Sequence, residues 1–368
     1  VNIIIFIDSL HSIAAGSEKQ IYKLAEGLAN TNHKVKLVLL RHTTFSQNLI
    51  NFPCPIECLD ITSIASFDAA KKMLAFRREL KKQRIDVVHA YFPDACLLAP
   101  LFLKMRHCKI ITSRRDMGLI YKGNTHILYR VLGFRTDLII SNSIAVAHHI
   151  EKFERLPAKK TRVIYNGLEI FDKTPSSKAI FSRPNSFKLV LVANIKPVKR
   201  TLDAVKATHQ LIANNMDIEL CLVGEHQDKN YVDGILSYIA QNNLSNHITL
   251  IGSFDEPRRI LNQANIGLLV SDSEGLSNTI MEYMQLGLPV IATNVGGNPE
   301  LVQHNINGLL VEKGDVGAIA KAIEMLYQDK KLAVALGQKG KEIIESNFSI
   351  KAMIQKHENL YSEKNHVR

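Results

Sequence analysis

The chain contains no tryptophan, and none of its apolar runs approaches the ~20 residues a helix needs to cross a bilayer. A helical membrane-spanning protein is therefore not the reading. Cysteine is scarce. The five thiols (Cys54, Cys58, Cys96, Cys108, Cys221) are odd in number, and Cys54 and Cys58 have no second pair at zinc-ligand spacing. That argues against a disulfide framework and a structural zinc module, and leaves reduced thiols of a cytosolic protein as the expectation. Repeats of fixed short period and low-complexity tracts are also missing, so solenoid and fibrous classes fall away. The pI is ≈ 9.3, yet no helix-turn-helix, zinc finger or aromatic RNA-binding motif is present, and no nucleic-acid partner is expected. The opening VNIIIFID is too short for a secretory signal and lacks its basic flank; it reads as a first buried strand.

Acid is what the first half lacks. Residues 1–170 carry 25 Lys and Arg against 14 Asp and Glu, which is the whole net charge of +11, while residues 171–368 carry 21 of each. A one-sided basic field points to an anionic partner: a membrane surface, nucleic acid or a phosphate-bearing substrate. The 368 residues suffice for two domains with well-buried cores.

What is present is alternation. NIIIFID, KVKLVLL, DVVHA, KIITS, DLIISN and TRVIYNG are near-continuous apolar runs separated by helix-length segments. That pattern predicts a parallel sheet covered on both faces. It pauses at FDKTPSSKAIFSRPNS (residues 171–186), which reads as a linker, and restarts with KLVLVAN, DIELCLVG, HITLIG, IGLLVSD and LPVIATN. The expected fold class is α/β: two successive doubly wound units whose strand ends face a shared crevice. Three helical segments without intervening strands close the chain.

One stretch carries chemistry. In SDSEGLSNTIMEYMQLGLPVIATNVGGNPE, Ser277 or Asn278 caps a helix that ends at Gly287, with Pro289 beyond. A helix start of this kind binds anions through backbone amides, and Gly275 permits close approach. Glu274 precedes the helix and Glu282 lies roughly 7–8 Å along it, so the two carboxylates can grip two ends of one elongated ligand. On their own they read first as a loop charge and a solvated helical charge. The next loop, TNVGGNPELV, delivers a second Gly-rich turn to the same rim, with Pro299 opening a helix.

With these residues in view, the sequence resembles the retaining glycosyltransferases of family 4, which have the GT-B fold. SEGLSNTIMEYMQLGLPVIATNVGGNPELV and NGLLVEKGD match the family signature, with Glu274 and Glu282 at its spacing. AAGSEKQIYKLAEGL resembles the first glycine turn, LIISNSIAVAHHI and RVIYNGLE the exit from the first domain, LVANIKPVKRTLDAVKA the donor-phosphate loop, and FSIKAMIQKHENLYSEK the closing helix. The match runs in order along the chain. It implies an acceptor-side Rossmann-like domain over 1–170 with a helix about 350–368 returning to it, and a nucleotide-sugar domain over 171–349.

The resemblance also implies roles. Glu274 lies near the transferred sugar and is the catalytic candidate, Glu282 takes the ribose, and the amides of Gly275, Leu276, Ser277 and Asn278 take sugar and phosphate. Lys199 matches the family's phosphate-binding Lys. Asn194 stands where Arg is common and Arg200 where Gly is usual, so Lys199, helix amides or Arg200 must supply the neutralisation. Gly16 follows Ala15 where Gly-Gly is common, and serves the strand-to-helix turn, the leaving phosphate, or both. Arg114 and Arg115 stand where many members place a His. With His89, they are the acceptor or sugar-side candidates, against a structural role for each.

The implied reaction is retaining transfer from a UDP- or GDP-linked sugar to a glycan or lipid-linked acceptor, with no cofactor and no metal expected. Glu274 and Glu282 are too far apart for the hydrolase pairing of carboxylates ~5–5.5 Å from each other. The helix in DAAKKMLAFRRELKKQR sets Ala69, Met73, Phe76 and Leu80 on one face and Lys71, Arg78 and Lys82 opposite. That basic face suits an anionic membrane surface as well as plain solvent, so a cytoplasmic protein, peripheral on the inner face of the cell membrane, is the expected setting. A sugar-nucleotide epimerase of the same fold, and a basic non-catalytic nucleic-acid- or membrane-binding protein, are the alternatives.

Overall fold

The computed structural model describes residues 1–13, 16–118, 125–170, 180–254 and 257–363. The chain forms two compact units, Val1–Gly167 with Ile350–Arg368, and Leu168–Ser349. The first runs β1 (Asn2–Ile7), α1 (Gly16–Ala29), β2 (Lys34–Leu39), α2 (Thr44–Asn48), β3 (Ile56–Cys58), α3 (Phe67–Lys82), β4 (Val87–Ala90), α4 (Pro93–Phe102), β5 (Lys109–Arg114), α5 (Thr125–Arg135), β6 (Leu138–Ser141), α6 (Ile144–Phe153) and β7 (Thr161–Val163). The second runs β8 (Phe187–Val192), α7 (Thr201–Ala213), β9 (Ile218–Val223), α8 (Lys229–Gln241), β10 (Ile248–Ile251), α9 (Pro257–Leu261), β11 (Ile266–Leu269), α10 (Asn278–Gln285), β12 (Val290–Thr293), α11 (Asn298–Leu301), β13 (Leu309–Val311), α12 (Val316–Gln328) and α13 (Lys330–Asn347). The last helix, α14 (Ile350–Ser362), belongs to the first unit.

Among the described residues each unit is one parallel sheet, ordered β3-β2-β1-β4-β5-β6-β7 in the first and β10-β9-β8-β11-β12-β13 in the second. The strands are parallel because each feeds a helix that crosses back over the sheet, and both faces then bury apolar side chains. In β1, Ile4 and Phe6 pack with α3 and α4, while Ile3, Ile5 and Ile7 pack with α1 and α14. The strand order reverses between β1 and β4 and again between β8 and β11. These are the topological switch points, where loops diverge and leave room outside the carboxyl ends of the strands.

Two expectations change. The three-residue edge strands β3 and β13 are additional to the apolar runs read from the sequence. Of the expected linker, residues 171–179 lie outside the described residues. Residues 180–186, however, are fixed to the second sheet. Phe181 is buried, and the Glu219 carboxylate accepts hydrogen bonds from the Ser182 amide (2.7 Å) and the Arg183 amide (3.0 Å). A polar stretch read as a connector is partly a buried carboxylate's hydrogen-bonding shell.

α14 is held by both packing and polar contacts. Met353, Leu360 and Tyr361 join the core of β1 and α1. The Lys109 ammonium donates to the carbonyls of Leu360 (2.7 Å) and Glu363 (2.9 Å), a cation at a helix C-terminus.

Candidate active site

The β8/β11 switch point gathers the second unit's candidates. β8 exits through Asn194, which is exposed, into a single 3-10 turn, Pro197–Lys199, and then α7. β11 exits through residues 270–277 into α10. The two exits are sewn together: the Asp272 amide donates to the Val198 carbonyl at 2.8 Å. The Gly-rich turn after β12 joins them, with the Gly297 amide on the Glu274 carbonyl at 3.2 Å and the Thr293 hydroxyl on the Ser271 carbonyl at 2.7 Å. Three loops from three neighbouring strands thus form one hydrogen-bonded rim.

Within that rim the Lys199 ammonium lies 2.6 Å from Glu274 Oε1, and the Ser271 hydroxyl donates to the same oxygen at 2.6 Å. Both partners of the ion pair keep some exposure, so a charged ligand can compete for either. Ser277, of the two capping candidates, is the N-cap of α10; its hydroxyl accepts from the Ile280 amide at 3.2 Å. Gly275, Leu276 and Ser277 are buried and Asn278 is half-buried, which fixes this backbone against the core. Glu282, one turn on, is half-buried, and its neighbour Tyr283 is fully buried. The Tyr283 hydroxyl accepts from the Val192 amide at 2.7 Å and donates to the Leu268 carbonyl at 3.3 Å, clamping α10 to β8 and β11. Gly267 makes room for that ring, since a Cβ there would lie 2.3 Å from it.

Arg200, the cation next to Lys199 in this loop, is held by two carboxylates. Its guanidinium is bound to Asp203 (2.5 Å) and Asp272 (3.2 Å), and the Asp203 hydrogen bond raises its pKa further. It also adopts φ +48°, a left-handed conformation that suits the Gly usual at that position better than Arg. Lys199 is the cation that this loop places beside Glu274.

The first unit treats its candidates differently. His89 is fully buried, with the Tyr361 hydroxyl 2.6 Å from Nδ1 and the Ser113 hydroxyl 2.8 Å from Nε2. Burial, the nearby His357 and Arg115 push its pKa well down, so the ring is neutral. Arg114 is buried against an equally buried carboxylate: Nε and Nη2 reach Glu154 at 2.7 and 3.2 Å, under the Tyr129 ring. Both side chains spend their hydrogen-bonding capacity inside the unit. Arg115 is placed otherwise. It donates to the Ser17 hydroxyl at 3.1 Å and to Asn166, beside the start of α1. Gly16 opens that helix at φ +63° with no atom within 4 Å of where a Cβ would stand, so backbone conformation and not crowding calls for glycine there. The preceding Ala15 lies outside the described residues.

The comparisons agree with this architecture. The family model described as Glycosyltransferase Family 4 matches residues 14–170, and that described as Glycosyl transferases group 1 matches residues 172–343. The chain belongs to glycosyltransferase family 4. It is thus a retaining glycosyltransferase of GT-B fold that uses nucleotide sugars. The chain is 23% identical over 292 residues to the N-acetyl-alpha-D-glucosaminyl L-malate synthase of Bacillus anthracis, covering 76% of this chain and 75% of that one. It is 25% identical over 330 residues to the UDP-Gal:alpha-D-GlcNAc-diphosphoundecaprenol alpha-1,3-galactosyltransferase of Escherichia coli, covering 84% and 83%. The crystal structure of Anabaena Alr3699/HepE in complex with UDP and glucose superposes with TM-score 0.86 at 20% identity, over 98% and 99% of the two chains.

In this glycosyltransferase several polar groups of the rims have no counterpart in the sequence reading. Ser271 and Asp272 close the apolar run of β11, and Asp8 closes that of β1. A lone polar residue at the end of a buried strand was the available signal. Asp8 accepts from the amides of Ala95 (2.7 Å) and Asp94 (3.1 Å), and burial pushes its carboxyl up to about 6. Among the described residues, the trio His42, Cys58 and Asp60 has its ligand atoms within 4.8 Å of one another; it lies at the carboxyl ends of β2 and β3 and includes none of the rim residues around Glu274.

Proposed function

We propose that the protein moves a sugar from a UDP- or GDP-linked donor to an acceptor hydroxyl in cell-surface polysaccharide or glycolipid assembly, with the donor seated at the mouth of α10. The observation that carries this reading is the Lys199–Glu274 pair at the β8/β11 switch point. A donor diphosphate outcompetes one carboxylate for the ammonium, because it offers more charge and more acceptor oxygens. Lys199 then moves to the diphosphate, and Glu274 is released to accept hydrogen bonds from sugar hydroxyls. Glu282 takes the ribose diol, and the backbone of Gly275, Leu276, Ser277 and Asn278 lies along the diphosphate and sugar, with Asn194 and Gly16 as further donor-side positions.

In the reaction the bond between the anomeric carbon and the diphosphate oxygen breaks, and the acceptor oxygen bonds to that carbon on the same face. The acceptor proton passes to the departing phosphate oxygen. Charge builds up on the leaving diphosphate, and Lys199 with the α10 amides stabilises it electrostatically. The Escherichia coli relative is named for a UDP-sugar and a diphosphoundecaprenol acceptor, and the HepE structure is titled as a UDP and glucose complex; both support a UDP-sugar here. The Bacillus relative is named for malate, so a lipid-linked acceptor is supported by the Escherichia coli relative and by the basic first unit, not by family membership as such.

Thermal shifts with UDP, GDP and ADP, followed by product analysis with the matching sugar nucleotides and lipid-linked or soluble glycan acceptors, test the reading. The expected product is a new glycosidic bond with the donor's anomeric configuration. Accumulation of an epimerised sugar nucleotide from donor alone contradicts it.

A further inference from the structure

α5 breaks the rule that a surface helix turns its polar side to water. Its inner side is filled: Tyr129 and Leu132 sit in the core with α4, the Tyr129 hydroxyl donates to the Pro93 carbonyl at 2.9 Å, and a Cβ on Gly133 would fall 2.4 Å from Leu156. Its outer side is apolar as well. Ile127 is 53% exposed, Leu128 45%, Val131 58% and Phe134 58%. At ~100° per residue, Ile127, Val131 and Phe134 fall within ~60° of one another, with Arg130 ~40° to one side and Arg135 ~40° to the other. Lys160 adds a cation at one end. Its ammonium donates to the carbonyls of Gly133, Phe134 and Thr136 and stands 5.8 Å from the Phe134 ring centre.

The neighbouring helices extend the surface. α4, apolar along most of its length, is buried over residues 95–100 between α3 and α5. Its last turn shows, where Leu101 is half exposed, and its first turn is partly exposed at Pro93 and Asp94. On the far side of α4, α3 exposes Lys71, Arg77, Arg78, Lys81 and Lys82 together with Phe67 and Leu74. One layer of the first unit therefore presents an apolar helix edged by arginines and, across the mostly buried α4, a basic one. A stripe of three large apolar side chains in water, with Leu128 exposed beyond Arg135, marks an interaction site. Flanking arginines select an occupant that is apolar within and anionic at its surface, which describes an anionic lipid bilayer and not an apolar protein groove.

We infer that α5 is a membrane-docking helix: Ile127, Val131 and Phe134 enter the acyl boundary of an anionic leaflet, while Arg130, Arg135 and the α3 cations lie against its phosphates. This rests on the lipid-linked acceptor of the proposed function for its purpose, since docking holds the acceptor-side unit where such an acceptor lies, but not for its evidence.

The test is flotation of the full chain with phosphatidylglycerol–phosphatidylcholine vesicles and with phosphatidylcholine alone, comparing wild type with Val131→Ser/Phe134→Ser and with Arg77→Glu/Arg78→Glu. Wild type floats with the anionic vesicles. The α5 variant loses about tenfold or more in vesicle affinity, while melting temperature and UDP affinity hold, because the altered side chains are on the surface. The α3 variant loses less, and its loss disappears at high salt, where the electrostatic part is screened. Equal flotation of wild type and the α5 variant overturns the inference, as does absence of wild-type flotation. So does a lipid-free dimer that the α5 variant makes monomeric, since the stripe is then a contact between copies. If the α5-dependent flotation is found but transfer occurs only to soluble acceptors, docking stands and the lipid-linked acceptor falls.

Discussion

The rims of the two sheets are built on one plan and finished in opposite ways. At the β8/β11 switch the charged groups Lys199, Glu274 and Glu282 stay partly exposed, and the Lys199–Glu274 and Arg200–Asp272 ion pairs both join the exits of β8 and β11. At the ends of β4 and β5 the polar groups His89 and Arg114 are sealed in, each satisfied by partners within the unit. The lesson is that polarity at a strand end does not distinguish a site from a scaffold. Exposure and the exchangeability of the partner do. A buried bidentate pair such as Arg114–Glu154 is costly to break, because either charge left alone has no water to turn to. A partly exposed pair such as Lys199–Glu274 costs less to break, because water reaches the separated charges.

The comparison is sharpened most by Glu274→Gln. We expect a loss of about a hundredfold to a thousandfold in kcat, as for other groups acting on the transition state, while UDP affinity stays equal or rises because Lys199 is no longer neutralised. Steady-state kinetics beside calorimetric UDP titration read the two effects separately; a parallel loss in both contradicts the exchange. Lys199→Ala should weaken UDP binding by about tenfold to a hundredfold, the range of a charge-assisted hydrogen bond. Glu282→Ala should weaken it by about tenfold through the ribose, with a smaller effect on UDP lacking the ribose diol; equal losses for both nucleotides break the ribose assignment.

The sealed rim makes its own prediction. Burial pulls the His357 pKa down to about 4 from 6.5, and His89 moves in the same direction. Histidines depressed in the folded state contribute stability that is complete above 6.5 and is lost as pH falls from 6.5 towards 4. Melting of the first unit should therefore decline across that window, with α14 exchanging its amides first, and His357→Gln should flatten part of the decline. The smallest effect is expected from Arg200→Ala. Asp203 and Asp272 already hold this guanidinium, so UDP affinity should change by less than about twofold. A tenfold loss would return Arg200 to the phosphate site.

How much of this was legible follows from the range of each interaction. Strands, helices and the order of the two sheets were readable because apolar runs and amphipathic periods are local signals. Ala69, Met73, Phe76 and Leu80, expected on one face of a helix, are the buried residues of α3. The cap at Ser277 and the stop at Gly287, with φ +69°, were readable for the same reason. The partners were not. His89 meets Tyr361 across 272 positions, Arg114 meets Glu154 across 40, and Lys199 meets Glu274 across 75. No spacing rule connects such residues before the sheet brings them together. The outward apolar stripe of α5 was illegible for a different reason. Apolar residues on both sides of a helix read as a buried helix, and only the structure shows that one side is uncovered.

The most direct test of the account is a crystal structure of the protein with an intact, slowly transferred nucleotide sugar. The account predicts that the Lys199 ammonium has left Glu274 for the diphosphate, that Glu274 accepts from hydroxyls of the sugar, and that Glu282 meets the ribose. A bound donor with the Lys199–Glu274 pair still closed, or a donor seated away from the start of α10, would contradict it.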